Sequence, residues 1–160
     1  MNLGQSLLAI GALLILSLTV LRMNNNILGT EEVVLDSKIG VLATSIGASI
    51  IEQATKLAFD ENTNNNSVSS IAGLTLSTDL GQEIPGILDD FDDYHGHTQQ
   101  DTIYTIPFVS ECAVTYINPG NPNGSTTNRT WHKKLTIRIS SDFSRDTLEL
   151  STIYSYWYFR

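Results

Sequence analysis

From Leu3 to Leu21 the chain carries no charged residue, and Leu, Ile, Val, Ala and Gly fill most of the run. A helix that crosses the hydrocarbon core of a bilayer needs about 20 predominantly apolar residues, so this stretch is long enough to span one. A secretory signal peptide is the competing reading. It would carry a basic region ahead of a shorter apolar core, and a small-residue cleavage site after it. No Lys or Arg precedes the run, and Leu21-Arg22-Met23-Asn24 follows it without an Ala-x-Ala pattern. The segment therefore reads as retained.

What remains is polar, rich in Asn, Ser, Thr and Asp, and of a size for one modest core. The formal charge of the 160-residue chain is -8, from 17 acidic and 9 basic residues. That balance argues against a nucleic-acid partner, which needs a basic surface to release counterions. His132, Lys133 and Lys134 are the one basic cluster and read as a solvated strand face. A single cysteine, Cys112, leaves no internal disulfide and no multi-thiolate zinc site.

The spacing predicts that helix continues past the apolar run. Thr30-Glu31-Glu32 reads as an N-cap with acidic first-turn residues. Leu35, Ile39, Leu42, Ile46, Ile50 and Leu57 then recur at helical intervals, with Gly40, Ala43, Gly47 and Ala48 permitting close contact. Residues 2–59 are thus expected as one long helix, or two in line with a weak joint near 22–30, where three asparagines and Gly29 interrupt the pattern. At 1.5 Å per residue, 58 residues would span about 87 Å, so half of the rod would extend beyond a head of this size.

Residues 61–102 read as loop, with Gly73, Gly81, Pro85, Gly86 and the run Asp89-Asp90-Phe91-Asp92-Asp93-Tyr94-His95-Gly96-His97. From there the period becomes two. Phe108, Ser110, Cys112, Val114 and Tyr116 share a strand face. Residues 118–125 read as a turn-rich loop. Leu135, Ile137 and Ile139 oppose Lys134, Thr136 and Arg138, and Leu148, Leu150, Tyr154, Tyr156 and Tyr158 line a third strand. Three strands with short connections imply an antiparallel meander. The fold class is α+β: an apolar segment with a polar joint (1–29), then a head of amphipathic helix (30–60), loop (61–102) and meander (103–159).

An apolar helix running into an amphipathic half, then a loop, then an antiparallel meander, resembles the type IV pilins and the type II secretion pseudopilins. The run Phe91-Asp92-Asp93-Tyr94-His95-Gly96 also resembles an Asp-Asp-Tyr-(His/Asn)-Gly element of minor pilin-like proteins. The resemblance implies a subunit of an extracellular filament, held in the inner membrane before assembly, whose partners are copies of itself. It implies an assembly surface on Met1, Gln5, Leu7, Leu8, Leu14 and Leu18. Gln5 stands where the family usually has glutamate. The alternatives are a single-pass, membrane-anchored exported domain that never polymerises, or a minor pseudopilin.

The acidic run offers Asp89, Asp90, Asp92 and Asp93 as hard oxygen ligands suited to calcium, as some pseudopilins hold it, without EF-hand spacing. The other reading is a solvated loop pinned by Phe91 and Tyr94 with its carboxylates outside. His95 and His97 are the transition-metal alternative, weighed against ordinary loop histidines. Asn65, Asn123 and Asn128 head Asn-x-Ser/Thr sequences in expected loops and are glycosylation candidates. Ser110, Ser140, Ser141 and Ser151 lie in no nucleophile elbow, and Cys112 reads as a small core residue. No glycine-rich phosphate loop occurs. The chain is expected to be no enzyme, with no cofactor beyond calcium and no small-molecule substrate. The aromatics Tyr154, Tyr156, Trp157, Tyr158 and Phe159 read as a strand packed on the helix, or as a subunit contact.

Overall fold

The computed structural model of the protein describes residues 2–82 and 87–156, with the side chains of Leu28 and Glu32 left aside. Met1, Pro85, Gly86, Trp157, Tyr158 and Phe159, all named above, lie outside the described residues. The fold is α+β. One long helix, α1 (Leu3–Ala54), is followed by a five-stranded antiparallel sheet: β1 (Thr98–Ile103), β2 (Ile106–Asn118), β3 (Asn121–Thr126), β4 (His132–Ser140) and β5 (Leu148–Ser155). The chain divides into two compact units, Met1–Lys38 and Ile39–Arg160.

α1 is uninterrupted through residues 22–30, so of the two expected readings the single long helix holds, and the weak joint and the N-cap at Thr30 are corrected. Thr30 sits inside the helix, and its hydroxyl donates back to the Asn26 carbonyl at 2.9 Å. Flanking helix formers carry a short, poor stretch when no breaker such as proline falls in it. The helix ends at Ala54 rather than Phe59, where the Lys56 and Leu57 amides turn back to the Gln53 and Ala54 carbonyls.

In the second unit, Ile39, Ala43, Ile46, Ile50 and Ala54 recur at three and four positions and are all buried, while Leu35 of the expected stripe is exposed. They join Phe108, Val114, Leu135, Ile137 and Ile139 from the inner sheet face in one core. Gly47 lets the helix close on the sheet. A side chain there would land on Leu150 Cδ1 and 3.0 Å from Ile139 Cδ1. Replacing it by valine is expected to cost about 1–3 kcal/mol by overpacking, read as a lower urea midpoint of the folded head. An unchanged midpoint would show that the contact can relax.

The sheet order is β1-β2-β4-β5, with β3 paired to the far end of β2. β2 alternates as expected, burying Phe108, Ser110, Cys112, Val114 and Tyr116. Two strands depart from the expected loops. β1 arises where residues 98–103 return on β2, in register from Thr98↔Glu111 to Ile103↔Ile106. The connecting Tyr104 and Thr105 adopt φ of 49° and 70°. Positive φ at both central residues matches the twist of a two-residue hairpin loop, without the usual Asn-Gly. β3 carries Pro122 and Gly124, which a strand tolerates at a sheet edge. Asn123 is therefore on a strand rather than in a loop.

Candidate functional site

The first unit presents an exposed apolar surface. Each of the eleven large apolar residues from Leu3 to Leu21 is more than half exposed, from Ile10 at 55% to Leu3 at 83%. Among the assembly candidates, Leu7, Leu8, Leu14 and Leu18 are in this set, and Gln5 is exposed beside them. Mean hydropathy reaches 2.1 over 18 residues of α1, none of them buried. Burying one such side chain is worth roughly 1.5–3 kcal/mol, so eleven amount to on the order of 20 kcal/mol. That exceeds the whole stability of a typical domain. The helix is long and apolar enough to cross a membrane.

The second unit is built around a buried charge cluster. Lys133 is fully buried, in phase with Leu135, Ile137 and Ile139 on β4, which corrects its reading as part of a solvated face. Its ammonium donates to Asp60 Oδ2 at 2.7 Å, Asp92 Oδ1 at 2.8 Å and the Phe59 carbonyl at 2.9 Å. Three N–H donors meet three acceptors, which is what a buried lysine requires. The Phe59 and Tyr116 rings lie 4.6 and 5.3 Å from the ammonium.

Asp60 is equally committed. Its carboxylate accepts from the Thr75 amide at 3.0 Å, the Thr75 hydroxyl at 3.0 Å and the Asn62 amide at 3.2 Å. The Tyr116 hydroxyl reaches it at 3.3 Å while donating to the Thr75 carbonyl at 2.7 Å. Burial alone would raise the Asp60 carboxyl, but Lys133 and the Thr75 donors hold it below the usual range. Helix end, long connection and sheet are thereby joined at one ion pair.

The acidic run folds against this cluster. Phe91 and Tyr94 are buried as expected, but so are Asp90 and Asp92, which corrects the picture of carboxylates left outside. Asp90 Oδ1 accepts the amides of Asp92 at 2.7 Å and Asp93 at 3.2 Å, opening a short 3-10 turn at Asp92–Tyr94. Asp93 Oδ2 accepts the amides of Asp89 at 2.9 Å and Asp90 at 3.2 Å. Asp89 is exposed, with an Asn64 amide 3.4 Å away. The four carboxylates thus serve different donors, and among the described residues no three His, Cys, Asp or Glu side chains form a metal-holding group. The head is expected to melt within about 1 °C in chelator and in millimolar calcium, whereas a saturating specific ligand would add several degrees. Such a rise would show that the folded head binds calcium.

Asp90 Oδ2 is buried without a hydrogen-bond partner. Burial, then the Asp92 carboxylate beside it and the charge of Asp93, push the Asp90 carboxyl up to about 9 against the pull of Lys133. The folded head therefore holds a proton that the unfolded chain, near 3.8, releases. The contribution of Asp90 is full below pH ~4, erodes as pH rises and is lost above ~9, by up to about 1.4 kcal/mol per unit. Asp60 runs the opposite way, its contribution present above its unfolded value and lost as pH falls through its depressed one. Urea midpoints are expected to fall between pH 5 and 9, and Asp90→Asn to flatten that fall. An equally steep fall in the variant would remove Asp90 as its source.

The remaining candidates separate. His95 Nδ1 accepts the Val114 amide at 3.1 Å, tying the chain to β2 just before β1 begins, and His97 stands edge-on to Tyr94. The two imidazoles therefore have different neighbours. Gly81, at φ 65°, lies so close to the His95 carbonyl that no side chain fits there. Burial pushes the Cys112 thiol up to about 11, a neutral core side chain. Asn65, Asn123 and Asn128 are exposed. Tyr154 and Tyr156 pack with Phe59, and Tyr156 stacks on Trp131 at 5.2 Å. On the outer sheet face a groove of about 560 Å³ includes His97, Glu111, Lys134, Arg138 and Glu149 in its lining. Its cations are engaged: Arg138 with Glu149 at 3.0 Å, Lys134 with the Asn123 carbonyl at 3.2 Å.

Comparison with protein-family models, with curated proteins and with solved structures finds no match for this chain.

Proposed function

We propose that this protein is a structural subunit of a type IV pilin-like extracellular filament, anchored in the inner membrane until it assembles. The observation that carries this reading is the helical surface from Leu3 to Leu21, apolar all round and exposed at every large side chain. A surface of that size is covered either by lipid or by other copies, because water would leave too much apolar area hydrated. In the filament it packs helix against helix, while the sheet of each head forms the outer surface. Gly4 and Gly11, seven positions apart and open to their surroundings, lie on nearly one side of the helix and allow close approach there. The head needs no chemistry in this role, and its buried ion pair serves to fix its loops.

The test is electron microscopy of material sheared from the cell surface, with mass spectrometry of its main protein. Filaments composed of this chain are the expected result. A chain recovered only from membranes, never in a sedimentable filament, would leave a single-pass anchored domain in place of a filament subunit.

A further inference from the structure

We propose that Arg22 of one copy pairs with Glu31 of a parallel second copy, and that this ion pair sets the axial register of the assembly. The inference rests on the filament reading and adds to it the contact that fixes the stagger.

Uniform apolar helices pack against one another in many registers. Residues 1–21 carry no charged side chain, so sliding two copies by a turn exchanges one set of Leu, Ile, Val and Ala contacts for another. A polar or charged pair is the usual device for choosing among such registers. Arg22 is the first charged residue of the chain and Glu31 the second. Both are exposed, and neither is in an ion pair among the described residues. Arg22 also stands at the distal end of the span, where a membrane orientation with the head exported disfavours a cation. Pairing in the assembly offsets that cost.

The spacing selects the partner. Nine residues of continuous α-helix turn through about 900°, placing Glu31 on the opposite side from Arg22 and about 13.5 Å along the axis. The two cannot meet within one helix. Parallel copies packed side by side in a repeating array touch through opposite faces, one presenting Arg22 and its neighbour Glu31. Such a heterologous contact with an axial offset does not close on itself and so builds an open filament. Asp36, fourteen residues on, returns to nearly the same side as Arg22. Pairing with it would need a same-face contact between parallel helices, and two-fold symmetry along their axis permits no stagger.

The test uses the full chain and reads sheared filament relative to the membrane-extracted subunit pool. Arg22→Glu and Glu31→Arg are each expected to lower filament yield at least about tenfold, the scale of a charge pair lost from a desolvated interface. The double swap, and co-expression of the two single variants, are expected to restore yield to within about twofold. Arg22→Lys and Asp36→Lys should leave it near the original. Filaments indifferent to the single reversals, or a double swap as poor as either single with its membrane pool intact, would overturn the register and leave the filament reading standing. An unaltered chain that makes no filament would overturn both.

Discussion

Replacing Lys133 by methionine is expected to cost the head about 3–5 kcal/mol. The substitution keeps the apolar stem but leaves Asp60 and Asp92 buried, 2.7 and 2.8 Å from where the ammonium had been. Native domains have only about 5–15 kcal/mol to lose, so the variant should unfold at far lower urea or not accumulate. Adding Asp60→Asn and Asp92→Asn to Lys133→Met removes the stranded charges, and much of the loss should return. The comparison separates an uncompensated buried charge from simple loss of packing. A single variant as stable as the original protein would mean that the two carboxylates find other partners or take up protons without cost.

The second large effect is a change of state. A chain shortened to begin at Thr30 is expected to be soluble, monomeric and cooperatively folded, while the full chain partitions into membranes and needs detergent. Ile39, Ala43, Ile46, Ile50 and Ala54 bury themselves in the core of the second unit, so the head keeps its helical layer. What is removed is Leu3 to Leu21, whose large side chains are all more than half exposed. Size-exclusion chromatography and a urea titration of the shortened chain, beside membrane fractionation of the full one, give the answer. Aggregation of the short form, or a full chain that is monomeric in plain buffer, would break the division.

Much of this architecture was legible in the chain. The apolar run announced a surface that has to be covered. The intervals of three and four after Leu35 announced an amphipathic helix, and the alternation from Phe108 to Tyr116 and from Leu135 to Ile139 announced strands with one buried face. These are local signals, because a side chain's direction follows from the backbone repeat alone. β1 and β3 escaped because Thr98–Ile103 and Asn121–Thr126 are almost wholly polar and so show no apolar period. Their conformation comes from pairing with β2, whose free edge accepts polar and even proline-bearing segments. Residues 22–30 left the choice between one helix and two open, since propensity is a weak prior over so short a stretch.

Lys133 marks the boundary between the two kinds of information. Its phase was in the sequence: two positions before Leu135 on a strand, it had to share the inner face with Ile137 and Ile139. What made burial tolerable was not. Asp60 lies 73 positions away and Asp92 41 positions away, on a helix exit and an acidic turn that nothing local ties to β4. A lysine on a core face without partners would be driven out or neutralised by desolvation, and a run of four aspartates without a cation would stay in water. Each is buried only because the other is there. Periodicity along the chain determines which way a residue points, but the partner that pays for burying a charge is supplied only when distant segments are brought together.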